Sequence, residues 1–387
     1  MEPTPFPSAG YAKASSLSQT FVVDGAIEIA FGASGAITTL TEKQSGRQWA
    51  DAKHHSIGKV WYQGISNVTL DDFNTNYTVE PHAYVAYTKP LLDLPAIDAV
   101  AKLMQLRYKK TATLTGETYE FLLDLSFDAV AHETRGAPAS ATAHVVVAHT
   151  TLSAVERRRR RLIEAASESS SSYPTPKTQI AYTLQLRNKT RCMAPEALWF
   201  SSNPITNIAK GAWSGDMMGS WIGVGESNLT GQNFDAGDSC SSALYPNEKQ
   251  CGVHLHAVGE RGVAYREGGA NNPRRGIPQM TLAAPDSMLV SFLASPLPIP
   301  TPIVTPPEDG QGVHFSLVNN LWNTSECTST AFELIGCCTC KQALDNFTKL
   351  NLSSLLSSPL SDYPYFYPFT DDEASTSGRY RFNIALA

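Results

Sequence analysis

The stretch ATAHVVVAHTTL, residues 141–152, alternates small or β-branched apolar residues with Thr and His at a period of two, which suits a half-buried strand and not a helix. The same texture recurs along the chain in TFVVDGAIEIAFG (20–32), GAITTLTE (35–42), YEFLLDLSFD (119–128), QIAYTLQLRN (179–188), VHLHAVG (253–259), MLVSFLA (288–294) and GVHFSLVNNLW (312–322). Gly, Pro, Asn and Asp separate these runs, so the connections are turns. No succession of strand, helix, strand runs through the sequence, which argues against a doubly wound fold or a complete β/α barrel. No fixed-period repeat suggests a propeller. Many short strands in 387 residues, 42% of them hydrophobic, predict an all-β fold built as a large antiparallel two-sheet sandwich.

Two segments compete with that pattern. Pro95 to Lys109 and Thr330 to Leu350 carry apolar residues at helical spacing and predict short helices packed on a sheet. A hairpin is predicted over GAITTLTEKQSGRQWA, residues 35–50. There Gly46 supplies the positive φ that a tight connection needs, and Trp49 returns an apolar anchor. Residues 1–20 read as a linker-like segment and 21–387 as one sandwich domain. Insertions are expected at about 153–178, where the basic run Arg157 to Arg161 meets a Ser-rich tract, and at 325–362.

A net charge of −6 gives no general attraction to nucleic acid, and the single basic run reads as a solvated loop. No apolar run reaches the roughly 18 to 20 residues needed to cross a bilayer, so no membrane span is expected. The first twenty residues show neither the charged nor the apolar region of a secretory signal. Seven N-x-S/T sequons nevertheless occur, at Asn67, Asn76, Asn188, Asn228, Asn323, Asn346 and Asn351. They point to a glycoprotein of the secretory pathway or cell exterior if a precursor carries the signal. Among the seven cysteines, Cys240 and Cys251 bracket a turn-forming stretch and form a candidate disulfide. The CCTC cluster at 337–340 lacks paired C-x-x-C knuckles and a neighbouring His, which disfavours zinc.

Several residues invite a chemical reading. Glu196, Asp216, Glu260 and Asp286 are the acids to weigh for glycosidase chemistry, which needs two carboxyls roughly 5 to 5.5 Å apart in a retaining enzyme. For Glu196 the structural alternative is a carboxylate bonded to backbone N–H groups after the Pro195 corner. Trp213 and Trp221, in GAWSGDMMGSWIGV, suit stacking on a sugar face, with core packing as the alternative. His254 and His256 share one side of an expected strand and could present two metal ligands or a general acid beside a base, with Glu260 and Glu267 near in sequence, the structural alternative being a His bonded to a neighbouring carbonyl. Asn319, Asn320 and Trp322 combine amides with an indole, a set suited to sugar hydroxyls and a ring face, or to a strand end and core.

The hairpin at 35–50, RGAP at 135–138, LQLRNK running into PEALWF, WSGDMMGSW, VHLHAVGERGVAY, SLVNNLWNT and the closing YFYPF with GRYRF occur in one order. In that order, from about Phe21 to Phe382, they resemble the C-terminal β-sandwich region of the domain of unknown function 5054 family, itself similar to the α-mannosidase-like enzymes of glycoside hydrolase family 38. The resemblance implies a galactose-mutarotase-like supersandwich that normally follows a β/α barrel. That barrel holds the zinc and the nucleophile, so the sequence here is expected to need no cofactor of its own and to be inactive alone. The implied partners are carbohydrate and a catalytic barrel, with Glu196 a candidate for the face between them. Two other readings stay open: a stand-alone extracellular carbohydrate-binding or adhesion module, and an aldose-epimerase-type enzyme using His256 with a Glu. The sequence departs from the family where Met193 stands two residues before Pro195 and an Arg is usual, Arg191 lying earlier.

Overall fold

In the computed structural model, the described residues are 4–66, 68–69, 94–113, 116–149, 178–190, 195–207, 211–217, 219–223, 255–267, 277–292, 295–296, 312–320 and 378–386. They form two antiparallel sheets of ten strands each, the all-β sandwich that the alternating runs predict.

The first sheet runs, from one edge to the other, through β1 (Ala12–Lys13), β8 (Lys102–Thr113), β9 (Gly116–Ser126), β10 (Ser140–His149) and β11 (Thr178–Arg187). It continues through β20 (Arg379–Leu386), β17 (Ile277–Ala283), β16 (Val263–Glu267), β13 (Gly211–Met217) and β14 (Ser220–Gly223). β20 therefore lies in the middle, paired with β11 on one side and β17 on the other. The second sheet is ordered β15 (His256–Ala257), β18 (Leu289–Ser291), β19 (Val313–Asn320), β12 (Glu196–Ser202), β6 (Ile57–Gly64), β4 (Ile37–Glu42), β3 (Ile27–Phe31) and β2 (Thr20–Val23). Two short strands complete it, β5 (Arg47–Ala50) beside β4 and β7 (Ile97–Val100) beside β6.

The period-two pattern decides which side chains meet between the sheets. In β10 the inward set is Ala141, Ala143, Val145 and Val147, all buried, and in β9 it includes Phe121, Leu123 and Leu125. Across the gap, Phe200 of β12 stacks on Phe382 of β20 with centroids 3.7 Å apart, and Tyr182 of β11 meets Phe200 edge-on at 5.1 Å. Each buried aromatic of this size contributes about 1.5–3 kcal/mol relative to exposure. This cluster joins the sheets at their centre.

The hairpin expected at 35–50 is present as β4 and β5, with Gly46 at φ 70° and Trp49 buried. The helix expected over Pro95 to Lys109 is not: these residues form β7 and most of β8. The pairing of β8 with β9 shifts register between Leu103 and Gln105, a β-bulge. The bulge carries Leu103 and Leu106, three apart, to the same buried face, and so imitates a helical period. The Thr330 to Leu350 segment, Asn67, Asn76, Asn228, Asn323, Asn346, Asn351, Cys240, Cys251 and the bulk of both expected insertions lie outside the described residues.

The RGAP phrase ends helix α1 (Ala129–Arg135). Asp128 caps its start by accepting hydrogen bonds from the N–H groups of Val130 and Ala131 at 2.9 and 3.1 Å. Gly136 closes it at φ 69°, and a Cβ there would stand 2.5 Å from the Thr190 carbonyl oxygen, so only glycine fits.

The segment read as linker-like is packed as a strap across the outer face of the first sheet. Arg379 donates to the Thr4 carbonyl at 2.8 Å and its guanidinium lies 5.1 Å over the Phe6 ring. Phe6 packs beside His144, the Tyr11 hydroxyl donates to Glu120 at 2.7 Å, and β1 pairs with β8. The strap thus spans from β20 to the β8 edge.

Candidate functional site

Every residue of β12 is buried, and its first, Glu196, stands in register between Gly64 of β6 and Asn320 of β19. One carboxylate oxygen accepts from the Lys189 ammonium at 2.7 Å and the other from the Tyr62 hydroxyl at 2.7 Å. Both charged side chains are almost fully excluded from solvent, Lys189 at 2% exposure and Glu196 at 1%. Burial strengthens their attraction and makes either charge costly without the other. Lys189 also donates to the Thr190 carbonyl at 2.9 Å. Glu196 is thus a buried carboxylate, as its structural alternative expects, with side-chain donors from Lys189 and Tyr62.

A second buried cation lies beside this pair. The Tyr62 oxygen is 3.0 Å from the Arg135 carbonyl, and the Arg135 guanidinium donates to the carbonyls of Ile65, at 3.1 Å, and Pro95. Gly64 makes room for it, since a Cβ there would fall 2.7 Å from Ile97 and 3.3 Å from the guanidinium. The corner therefore ties the end of β6, the last turn of α1, the residues after β11 and the start of β12. Arg191 and Met193 are outside the described residues. Asn319 and Asn320 occupy the last two positions of β19, and Trp322 and His254 lie beyond the described residues.

Asp216 and Trp221 stand opposite each other at the β13–β14 edge of the other sheet. Arg261 donates to Asp216 at 2.6 Å and to the Gly219 carbonyl at 2.6 Å. The Arg261 guanidinium holds the Asp216 carboxyl below the usual carboxylate range, against the opposing effect of burial. Arg261 and Arg266 lie 4.8 and 5.4 Å over the Trp221 ring, which is buried. Trp213 belongs to the core and packs 5.8 Å from Tyr265. For Trp213 the core alternative holds, and its ring is not offered to solvent.

His256 opens β15, opposite Val290, buried with its ring 6.2 Å from that of Phe292. Glu267 pairs with Arg47 at 2.6 Å, and Glu260 is exposed in a turn. Asp286 accepts from Nε and Nη2 of the Arg381 guanidinium, at 2.8 and 2.7 Å, which lowers its pKa. Among the described candidates, Glu196 lies at the head of β12 beside the Asn319–Asn320 end of β19, Asp216 and Trp221 at the β13–β14 edge, His256 on β15 and Asp286 against Arg381. Lys189, Tyr62, Arg135 and Arg261 were missed, because their roles come from pairing between residues up to 134 positions apart.

Asn188, the sequon asparagine within the described residues, is exposed just after β11 at φ 53°. Among the described residues, no group of three or more His, Cys, Asp or Glu is placed to hold a metal, and no helix is long and apolar enough to cross a membrane. No protein-family model matches the chain, and no curated protein matches it.

Proposed function

We propose that the chain is the carbohydrate-associated sandwich of an α-mannosidase-like protein, a galactose-mutarotase-like supersandwich that supports a catalytic β/α barrel and does no hydrolysis alone. The observation that carries this reading is the commitment of three of the four acids weighed for glycosidase chemistry, the fourth, Glu260, being exposed in a turn. Glu196, Asp216 and Asp286 are each closed into an ion pair with Lys189, Arg261 and Arg381. A glycosidase acid or nucleophile must instead face the scissile bond. The same carboxylates suit a scaffold, where they pin strand ends and turns. The ordered resemblance from Phe21 to Phe382 supports this reading, and the zinc of such enzymes belongs to the barrel. The sequons favour a glycoprotein of the secretory pathway.

The purified chain is expected not to hydrolyse aryl α-mannosides with or without added zinc. Zinc-dependent turnover by this chain would overturn the reading. Glycan-array binding that Trp322→Ala abolishes would move the assignment to a stand-alone carbohydrate-binding module. Epimerase chemistry has less support, because Glu267 is held by Arg47 and His256 packs against Phe292.

A further inference from the structure

Beneath the strap, the outer face of the first sheet carries a half-open pocket of about 350 Å³. Its floor is built by neighbouring strands: Arg107 of β8, Leu122 of β9, Ser140 and Thr142 of β10, and Arg187 of β11, with Phe6 of the strap as a wall. Register fixes this grouping, since Arg107 pairs with Leu122 and Ser140 with Arg187.

The charges do not balance. Arg107 is neutralised by Asp124 at 2.7 Å, although its Nε is buried without a hydrogen-bond partner. Arg187 is half-buried, its Nε likewise lacks a partner, and its guanidinium makes no hydrogen bond or ion pair among the described residues. A planar, permanently charged fork held at a pocket wall without an anion is suited to bind a carboxylate. The hydroxyls of Ser140 and Thr142 can both donate and accept, as a polyol requires. Phe6, half-buried on the pocket wall, offers apolar surface to the C–H face of a ring. The volume is at the low end of the roughly 300–1,000 Å³ typical of small-molecule sites, which fits one six-membered ring and little more.

We propose that this pocket binds a small polyhydroxylated carboxylate of hexuronate size, with Arg187 taking the carboxylate and Ser140 and Thr142 the hydroxyls. The site shares no residue with the corner around Glu196, and the inference does not rest on the α-mannosidase-like reading.

Isothermal titration of the full chain with sodium glucuronate tests it, with glucose, acetate and inorganic phosphate as comparison probes. Glucuronate is expected to bind in the millimolar range or tighter, and each comparison probe at least tenfold more weakly. Arg187→Gln should weaken glucuronate at least tenfold without unfolding the protein, because the side chain it replaces makes no hydrogen bond among the described residues. Circular dichroism and a melting curve verify that fold. Arg187→Lys, which keeps charge but loses the fork, should fall between. No heat from glucuronate at 20-fold above the millimolar range, equal binding of glucose or phosphate, or undiminished binding by folded Arg187→Gln each overturns the proposal. The mannoside assay has no bearing on these outcomes, so the two readings fail separately.

Discussion

Lys189 sits inside a glycosylation sequon, yet its ammonium is among the most deeply buried charges described. Glu196→Gln leaves that ammonium without its counter-charge, and the expected loss is about 3–5 kcal/mol by chemical denaturation. The double variant Lys189→Met/Glu196→Leu removes both charges and is expected to recover most of that loss. Equal destabilisation by the single and double variants would show that shape, not charge, holds the corner. The sequence offered one sign of this arrangement, a Glu immediately after Pro195 at the head of an apolar strand. It offered no sign of the partners, because Lys189 and Tyr62 reach Glu196 only through the register of β6, β12 and the chain leaving β11.

At the scale of the element, Asp216 fastens the turn at 259–262 to β13. Besides the Arg261 pair, its N–H donates to the Gly262 carbonyl and its carbonyl accepts from Gly259 at 2.6 Å. Its folded pKa lies below the unfolded value, so this contribution to stability is complete above about pH 4 and fades as pH falls through the folded value. Melting temperatures measured from pH 3 to 7 should therefore show Asp216→Asn below the parent at pH 7 and converging with it in acid. A constant gap across that range would sink the ion-pair account.

Hairpins and strands were the legible elements. The turn at Gly46 and the alternation in β10 each rest on interactions within a few residues, which a sequence displays directly. The β8 region misled because a bulge is a relation between two strands. The strap was equally hidden: Phe6 and Tyr11 stand in a Pro- and Ser-rich segment, and what fixes them is His144, Arg379 and Glu120, far along the chain. The pocket floor was half visible, since the polar half of the alternation in β10 and β11 marks Ser140, Thr142 and Arg187 as outward-facing. What covers them was not.

For the whole molecule, the position of β20 matters most. Its Phe382 stacks on Phe200 at the centre of the interface, and Ile384 and Leu386 are buried beside it. Deleting residues 378–387 would separate β11 from β17 and leave two exposed edges in the first sheet. The expected result is insoluble protein, or protein cut faster than the parent in a limited-proteolysis comparison. A soluble, cooperatively melting truncation would contradict the central role of this strand.

That placement also sets a timetable for biosynthesis. β11 ends roughly 190 residues before β20 begins, and at about 5–20 residues per second the ribosome needs on the order of 10 to 40 s to cover that distance. For that time the nascent chain carries half a sheet with an open apolar edge, long enough for it to meet a chaperone or pair wrongly with another copy. Slow codons or a stalled ribosome between the two strands would lengthen the exposure, so the yield of folded protein should fall as translation slows there.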